Sequence, residues 1–229
     1  MGEAKRRREN AVPTVYHHTS TLRTNLIWMS GVIQVEGKSD GAFHPALGKI
    51  VTDAAARRAM KDFPAVAWFT KRIEVPRVLT GSALFATDKK TGELREFKVS
   101  DGEVNAISLN RVALGFAISE TPVVPWREHY GYGTPEGRDL NESARAAGDD
   151  PEDWYVSETP VDVTKASEFW YSRNILHPKL VRHDSYLADI RRMVHLSKSQ
   201  GAYIPPSWLT TSNAQALARR MGVPVANVR

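Results

Sequence analysis

The first clear pattern along the chain is Thr14-Val15-Tyr16-His17-His18-Thr19, a β-branched and aromatic run that predicts a short strand. Ser20 or Thr21 can cap the helix that follows, in which Leu22, Leu26, Ile27 and Met29 approximate one apolar face and which Gly31 ends. A polar, glycine-bearing loop over 37–48 leads to Thr52-Asp53, the cap of an alanine-rich helix over 52–62 that Pro64 closes. From there the pattern turns to β. Residues 65–70 form a compact apolar strand, 75–85 contain another before the turn Asp88-Lys89-Lys90-Thr91-Gly92, and 93–99 and 110–118 read as two more.

Residues 121–137 hold Pro122, Pro125, Gly131, Gly133, Pro135 and Gly137 with Trp126, Tyr130 and Tyr132 among them, a long loop of the kind that often carries function. A short helix over 140–147 stops at Gly148, and 154–163 and 167–172 read as two late strands. A basic amphipathic helix over 185–200 follows, Pro205-Pro206 break it, and a last helix over 213–221 ends at Gly222 before Pro224. This order predicts an α+β domain over 13–176, made of two packed, mainly antiparallel sheets with flanking helices. A disordered basic arm over 1–12 precedes it and a basic helical extension over 177–229 follows it.

Composition narrows the chemistry. Hydrophobic residues make up 41% of the 229 and charged residues 25%, which is enough for a core. There is no cysteine, so a disulfide framework, a thiolate metal site and a cysteine nucleophile are excluded. No secretory h-region follows the basic start, and no apolar run approaches the roughly 20 residues of a membrane helix. The expectation is a cytoplasmic protein without a membrane partner. His44, His177, His183 and His195 are dispersed without the spacing of a helical metal pair.

Charge is unevenly distributed: residues 172–229 carry +7, residues 1–10 carry +2, and the segment between carries −4. Basic ends suit a polyanion. Arg191-Arg192 and Arg219-Arg220, on separate predicted helices, could straddle a phosphate backbone. The same charges also fit a solvated helical cap on the domain.

In a strand, His17 and Thr19 share one face, where an imidazole and a hydroxyl could hold a ribose hydroxyl and an amide. A strand histidine is equally well satisfied by backbone or water. Trp68-Phe69 and Trp154-Tyr155 read as core, whereas Tyr130 and Tyr132, in a Gly/Pro-rich loop, are candidates for ligand contact.

Tyr16-His17-His18-Thr19, the helix through Leu26-Ile27 to Gly31-Val32-Ile33, and Ala65-Val66-Ala67-Trp68-Phe69-Thr70 together resemble the opening of a broad, largely uncharacterised bacterial and phage group. That group shows a Tyr-His-x-Thr motif, a helix, Gly-x-Ile and then Trp-Phe-Ser. The stretch from Leu140 through Asp153-Trp154-Tyr155-Val156-Ser157 to Glu168 resembles its later part, so the likeness spans 14–171. The strand-one His-x-Thr is similar to ADP-ribosyltransferase-like folds, including DNA-targeting transferase toxins and RNA 2′-phosphotransferases. The resemblance implies NAD as substrate, with His17 and Thr19 holding the nicotinamide-ribose part and Thr70 at the place of the second-strand hydroxyl. It makes Glu168 the late-strand acid. Glu128, between Arg127 and His129 in the aromatic loop, is a second candidate acid. The expected function is NAD-dependent ADP-ribosyl transfer or related nucleotide chemistry, with nucleic acid as a possible acceptor. The contrasting reading is a noncatalytic nucleic-acid- or protein-binding module of a phage or mobile element.

Overall fold

Strand β1 (Thr14–Thr19) forms where its β-branched and aromatic residues predict it, and it lies in the interior of a sheet. Both of its edges are used: Tyr16 pairs with Thr70 of β5 (Ala67–Thr70) on one side, and all six residues pair with β8 (Val112–Ala117) on the other. The structure is a computed structural model that describes residues 13–20, 24, 27–28, 30–35, 42–44, 49–51, 64–77, 85–87, 94–96, 111–172 and 179–200. The arm over 1–12, the helices expected over 52–62 and 213–221, and Arg219 and Arg220 lie outside these residues.

Between β1 and β5 the described residues form β2 (Val32–Ile33), β3 (Ala42–His44) and β4 (Lys49–Val51). Strands β6 (Phe85–Thr87) and β7 (Leu94–Glu96) precede β8. After it come β9 (Val124–Pro125), β10 (Trp154–Ser157), β11 (Val161–Asp162), β12 (Glu168–Tyr171) and β13 (Val181–Arg182). Seven strands build one antiparallel sheet in the order β13-β12-β8-β1-β5-β10-β9, and β11-β2, β3-β4 and β6-β7 form separate two-stranded pairs. The described architecture is therefore one mixed α+β arrangement around a single large sheet. The sequence predicts β1, β5, β8 and β12, but it reads 154–163 as one strand where β10 and β11 form and predicts none of β2, β3, β4, β9 and β13. Among the described residues the late strands β10 and β12 join the two flanks of the sheet around β1 instead of making a second large layer.

Directly paired residues share a face. One face carries Val15, His17 and Thr19 of β1, Ala67 and Phe69 of β5, Val112, Leu114 and Phe116 of β8, Tyr155 of β10 and Phe169 of β12. It is covered by Ile27 and Trp28 of the first helix and by α2 (Ser185–Gln200), whose Leu187, Ile190, Met193 and Val194 recur at helical spacing in the same apolar cluster. The helix of Thr24, Ile27, Trp28 and Ser30 ends at Gly31, whose φ of +73° is the left-handed conformation glycine adopts without strain. Gly31 N–H donates to the Ile27 carbonyl at 2.7 Å. From the expected C-terminal extension, α2 contributes to this core and β13 pairs with β12.

The other face is divided. Over β5, β10 and β9 it is covered by α1 (Pro135–Ala147), which buries Ala144 and half-buries Leu140 against Val66, Trp126, Trp154 and Val156, with Trp68 and Tyr132 beside them. The expected 140–147 helix starts earlier, because Thr134 caps it by accepting from Gly137 N–H and Pro135 occupies the first turn. Gly148, at φ +87°, ends it. Among the described residues, α1 does not extend over β1, β8 and β12 on that face.

The turns before α1 are locked by close approach. Trp126 is fully buried and its Nε1–H donates to Asn141 Oδ1 at 2.8 Å. A methyl at Gly137 would lie 1.9 Å from the Gly131 carbonyl oxygen, whereas one at Gly133 would meet nothing within 4 Å. Gly137→Ala is expected to destabilise the protein by about 1–3 kcal/mol, the range for overpacking. Gly133→Ala is expected to stay within about 0.5 kcal/mol of the parent in denaturant unfolding.

Candidate functional site

The row Tyr16–Gly115–Glu168 crosses three neighbouring strands on the face that carries α1 farther along the sheet. Strands two apart are separated by roughly 10 Å, and the glycine between them lets the Tyr16 ring lean across. A Cβ at Gly115 would lie 2.9 Å from Glu168 Cβ and 3.1 Å from Tyr16 Cε1. With that space empty, Tyr16 Oη donates to Glu168 Oε2 at 3.0 Å. Trp170, two residues on and so on the same face, donates its Nε1–H to the same oxygen at 2.8 Å. From edge strand β13, Arg182 Nη1 donates to Glu168 Oε1 at 3.0 Å, and its guanidinium lies 5.9 Å from the Trp170 ring centroid.

This cluster borders a shallow hollow of about 540 Å³ lined by Pro13, Thr14, Tyr16, Lys71, Ser167, Glu168 and Arg182. Ser167 is held by its N–H to the Gly115 carbonyl at 2.9 Å. The Tyr16 hydroxyl is pushed up to about 12, first by burial and then by the negative charge and hydrogen bond of Glu168, with Arg182 acting in the opposite direction. Chemically, the hollow offers one carboxylate held by three donors, two cations and a phenol that stays protonated.

The other sequence candidates are placed differently. His17 and Thr19 lie on the helix-covered face, opposite Glu168 across the sheet. His17 Nδ1 lies 2.9 Å from the Trp68 carbonyl, so that nitrogen carries the proton, and its ring packs 5.5 Å from Phe69. Thr19 is buried, and its Oγ1 has no hydrogen-bond partner among the described residues. Thr70 shares the face of Tyr16, but it is buried and its Oγ1 accepts from Arg72 N–H at 3.2 Å, which closes its own turn. His17, Thr19, Thr70 and Glu168 do not meet in one cleft: strand alternation sends the first two to one face and the last two to the other.

Glu128, Tyr130 and Tyr132 stand beyond β9, at the sheet edge away from Glu168, a separation on the order of 20 Å from strand spacing alone. Glu128 is exposed, 3.8 Å from Arg127 Nε. Tyr130 is 67% exposed and packs on His129 at 4.4 Å, while Tyr132 packs on Trp126 and its hydroxyl joins Arg145 to Glu152. The loop's aromatic richness thus serves two 3-10 turns packed against α1. Buried His129 is fully used there, accepting from Gly131 N–H at Nδ1 and donating from Nε2 to Glu158 at 2.8 Å.

On α2, Arg191 donates to the Thr164 and Ala166 carbonyls at 3.0 and 3.1 Å, so it anchors the helix to the domain. Arg192 is exposed. Sequence reasoning gave no role in the site to Tyr16, Trp170, Arg182 or Lys71. The available signal was alternation, since Tyr16 and His18 on one strand, and Glu168 and Trp170 on another, must share a side.

The chain matches no protein-family model, and neither the curated proteins nor the solved structures contain a significant match to it. No helix among the described residues is long and apolar enough to cross a membrane.

Two titrations follow from β1. His18 is half-buried, with Nε2 3.2 Å from the Arg72 carbonyl, and desolvation pulls its pKa down to about 4, with His17 adding to the effect and the carbonyl opposing it. The unfolded chain therefore binds a proton that the native state refuses, and stability is expected to fall as pH drops from 6.5 towards 4. Tyr16, raised instead, contributes stability that is lost as pH rises from 10.0 towards 12. Denaturant midpoints against pH should show a shallower acid limb in His18→Gln and a shallower alkaline limb in Tyr16→Phe, each relative to its own value at pH 8.

Proposed function

We propose that the hollow beside Glu168 is a nucleotide site and that its chemistry is ADP-ribosyl transfer from NAD or a related reaction at a nucleotide ribose. The observation that carries this reading is the position of Glu168, the late-strand acid expected from the resemblance, at a hollow where Tyr16, Trp170 and Arg182 orient its carboxylate. Transfer breaks the bond between ribose C1′ and the nicotinamide nitrogen, which keeps the electron pair. Positive charge then grows on the ribose until the acceptor's nucleophile bonds to C1′ and gives up its proton. A carboxylate fixed beside that carbon stabilises the charge without reorganising. Tyr16 and Trp170 fix Oε2, Arg182 holds Oε1, and Lys71 adds positive charge for the phosphates.

The noncatalytic reading draws on the same cluster. Three donors on one carboxylate also make a structural tie, and His17 and Thr19 face away from it. On that reading the exposed cations of α2, Arg192 and Lys198, serve a polyanionic partner.

The two separate in one set of measurements. The transfer reading expects NAD and ADP-ribose to raise the melting temperature by mass action and nicotinamide to be released. Glu168→Gln should lower that release about 10²–10³-fold while ADP-ribose still stabilises the variant, and His17→Ala should release nicotinamide at the parental rate. Absence of both stabilisation and release, with salt-sensitive nucleic-acid binding lost in Arg192→Ala, would establish the noncatalytic reading instead.

A further inference from the structure

The hollow holds two cations and one carboxylate, and the cations are unequally engaged. Lys71 lies 5.3 Å from the Tyr155 ring centroid and makes no ion pair among the described residues. Arg182 is divided between two carboxylates, with Nη1 on Glu168 Oε1 at 3.0 Å and Nε on Asp184 Oδ2 at 2.7 Å. Its Nη2 group makes no hydrogen bond among the described residues. With 46% of its side chain exposed, Arg182 can change partners at little desolvation cost. Exposed ion pairs are weak and screened by salt, whereas a phosphate oxyanion takes a guanidinium through two parallel bonds.

We propose that the hollow binds a diphosphate group between Lys71 and Arg182, and that binding draws Arg182 Nη1 off Glu168, freeing Oε1 to face the rest of the ligand. Asp184 keeps the guanidinium within reach during the exchange, and Tyr16 and Trp170 keep Oε2 in place. Arg182 is thus an anion-operated latch on Glu168. The proposal rests on the nucleotide reading only for what the diphosphate is attached to.

Inorganic pyrophosphate is the probe, titrated calorimetrically into the full chain. The parent is expected to bind at one site, with affinity falling as salt rises. Arg182→Gln and Lys71→Gln should each weaken binding tenfold or more, and Lys165→Gln, at an exposed lysine outside the hollow, should not change it. Glu168→Gln should tighten binding several-fold, because the amide no longer competes for the guanidinium. No binding by the parent, parental affinity in Arg182→Gln, or unchanged or weaker binding in Glu168→Gln overturns the latch. If melting curves show Arg182→Gln unfolded, Arg182→Lys, which keeps the charge and loses the fork, is expected to bind more weakly than the parent. Glu168→Gln reads the competition independently. The expected pyrophosphate pattern without nicotinamide release sustains the latch and removes the transfer reading. Glu168-dependent release with no pyrophosphate binding does the reverse.

Discussion

The alternation of side chains along one interior strand governs the molecule. Because β1 is paired along both edges, its residues have only two directions available, and a shift of one residue in register would exchange them. Val15 and Thr19, buried among apolar partners, commit one side to the core. That commitment delivers Tyr16 to the other side, and the absence of a side chain at Gly115 lets it reach Glu168. The cluster at the hollow is thus a consequence of how the core is filled.

The covering elements complete the division. On one face, α2 and the first helix bury Ile27, Trp28, Leu187, Ile190, Met193 and Val194. Fully burying a side chain of this kind contributes about 1.5–3 kcal/mol each, so that face has a strong reason to stay closed. On the other, α1 and its preceding turns reach only β5, β10 and β9, where three tryptophans meet, Trp68 lying 4.8 Å from Trp126 and 5.8 Å from Trp154. Over β1, β8 and β12 the described residues of that face centre on the Glu168 carboxylate, which is held by neighbours on its own strand, on β1 and on β13. A site with fixed Oε2 and a more loosely held Oε1 combines preorganisation with room for a ligand to intervene.

Much of this was legible in the residues. The β-branched run at 14–19, the glycine stops at Gly31 and Gly148 and the apolar spacing of 185–200 each reflect a local cause, and each element stands where that cause puts it. Partnership was not legible, because pairing β8 and β12 beside β1 depends on contacts more than 50 residues apart. For the site, Glu168 and the His-x-Thr pair stood out as residue types. Seeing that they occupy opposite faces requires the register through Gly115 and Leu114. Tyr130 and Tyr132 stood out for the same reason, and they lie in the 3-10 turns before α1, at the sheet edge away from Glu168. Arg191 stood out for its charge, and its contacts with the Thr164 and Ala166 carbonyls, which tie α2 to the domain, depend on chain segments 27 and 25 residues away.

The central claim is that Tyr16, and not His17, is the β1 residue that acts together with Glu168. A double-mutant cycle on denaturant unfolding tests it with Tyr16→Phe and Glu168→Gln, run beside His17→Ala and Glu168→Gln. The account predicts a coupling of about 0.5 kcal/mol or more for the first pair and additivity within roughly 0.3–0.5 kcal/mol for the second. Coupling between His17 and Glu168, with Tyr16 and Glu168 additive, would contradict it.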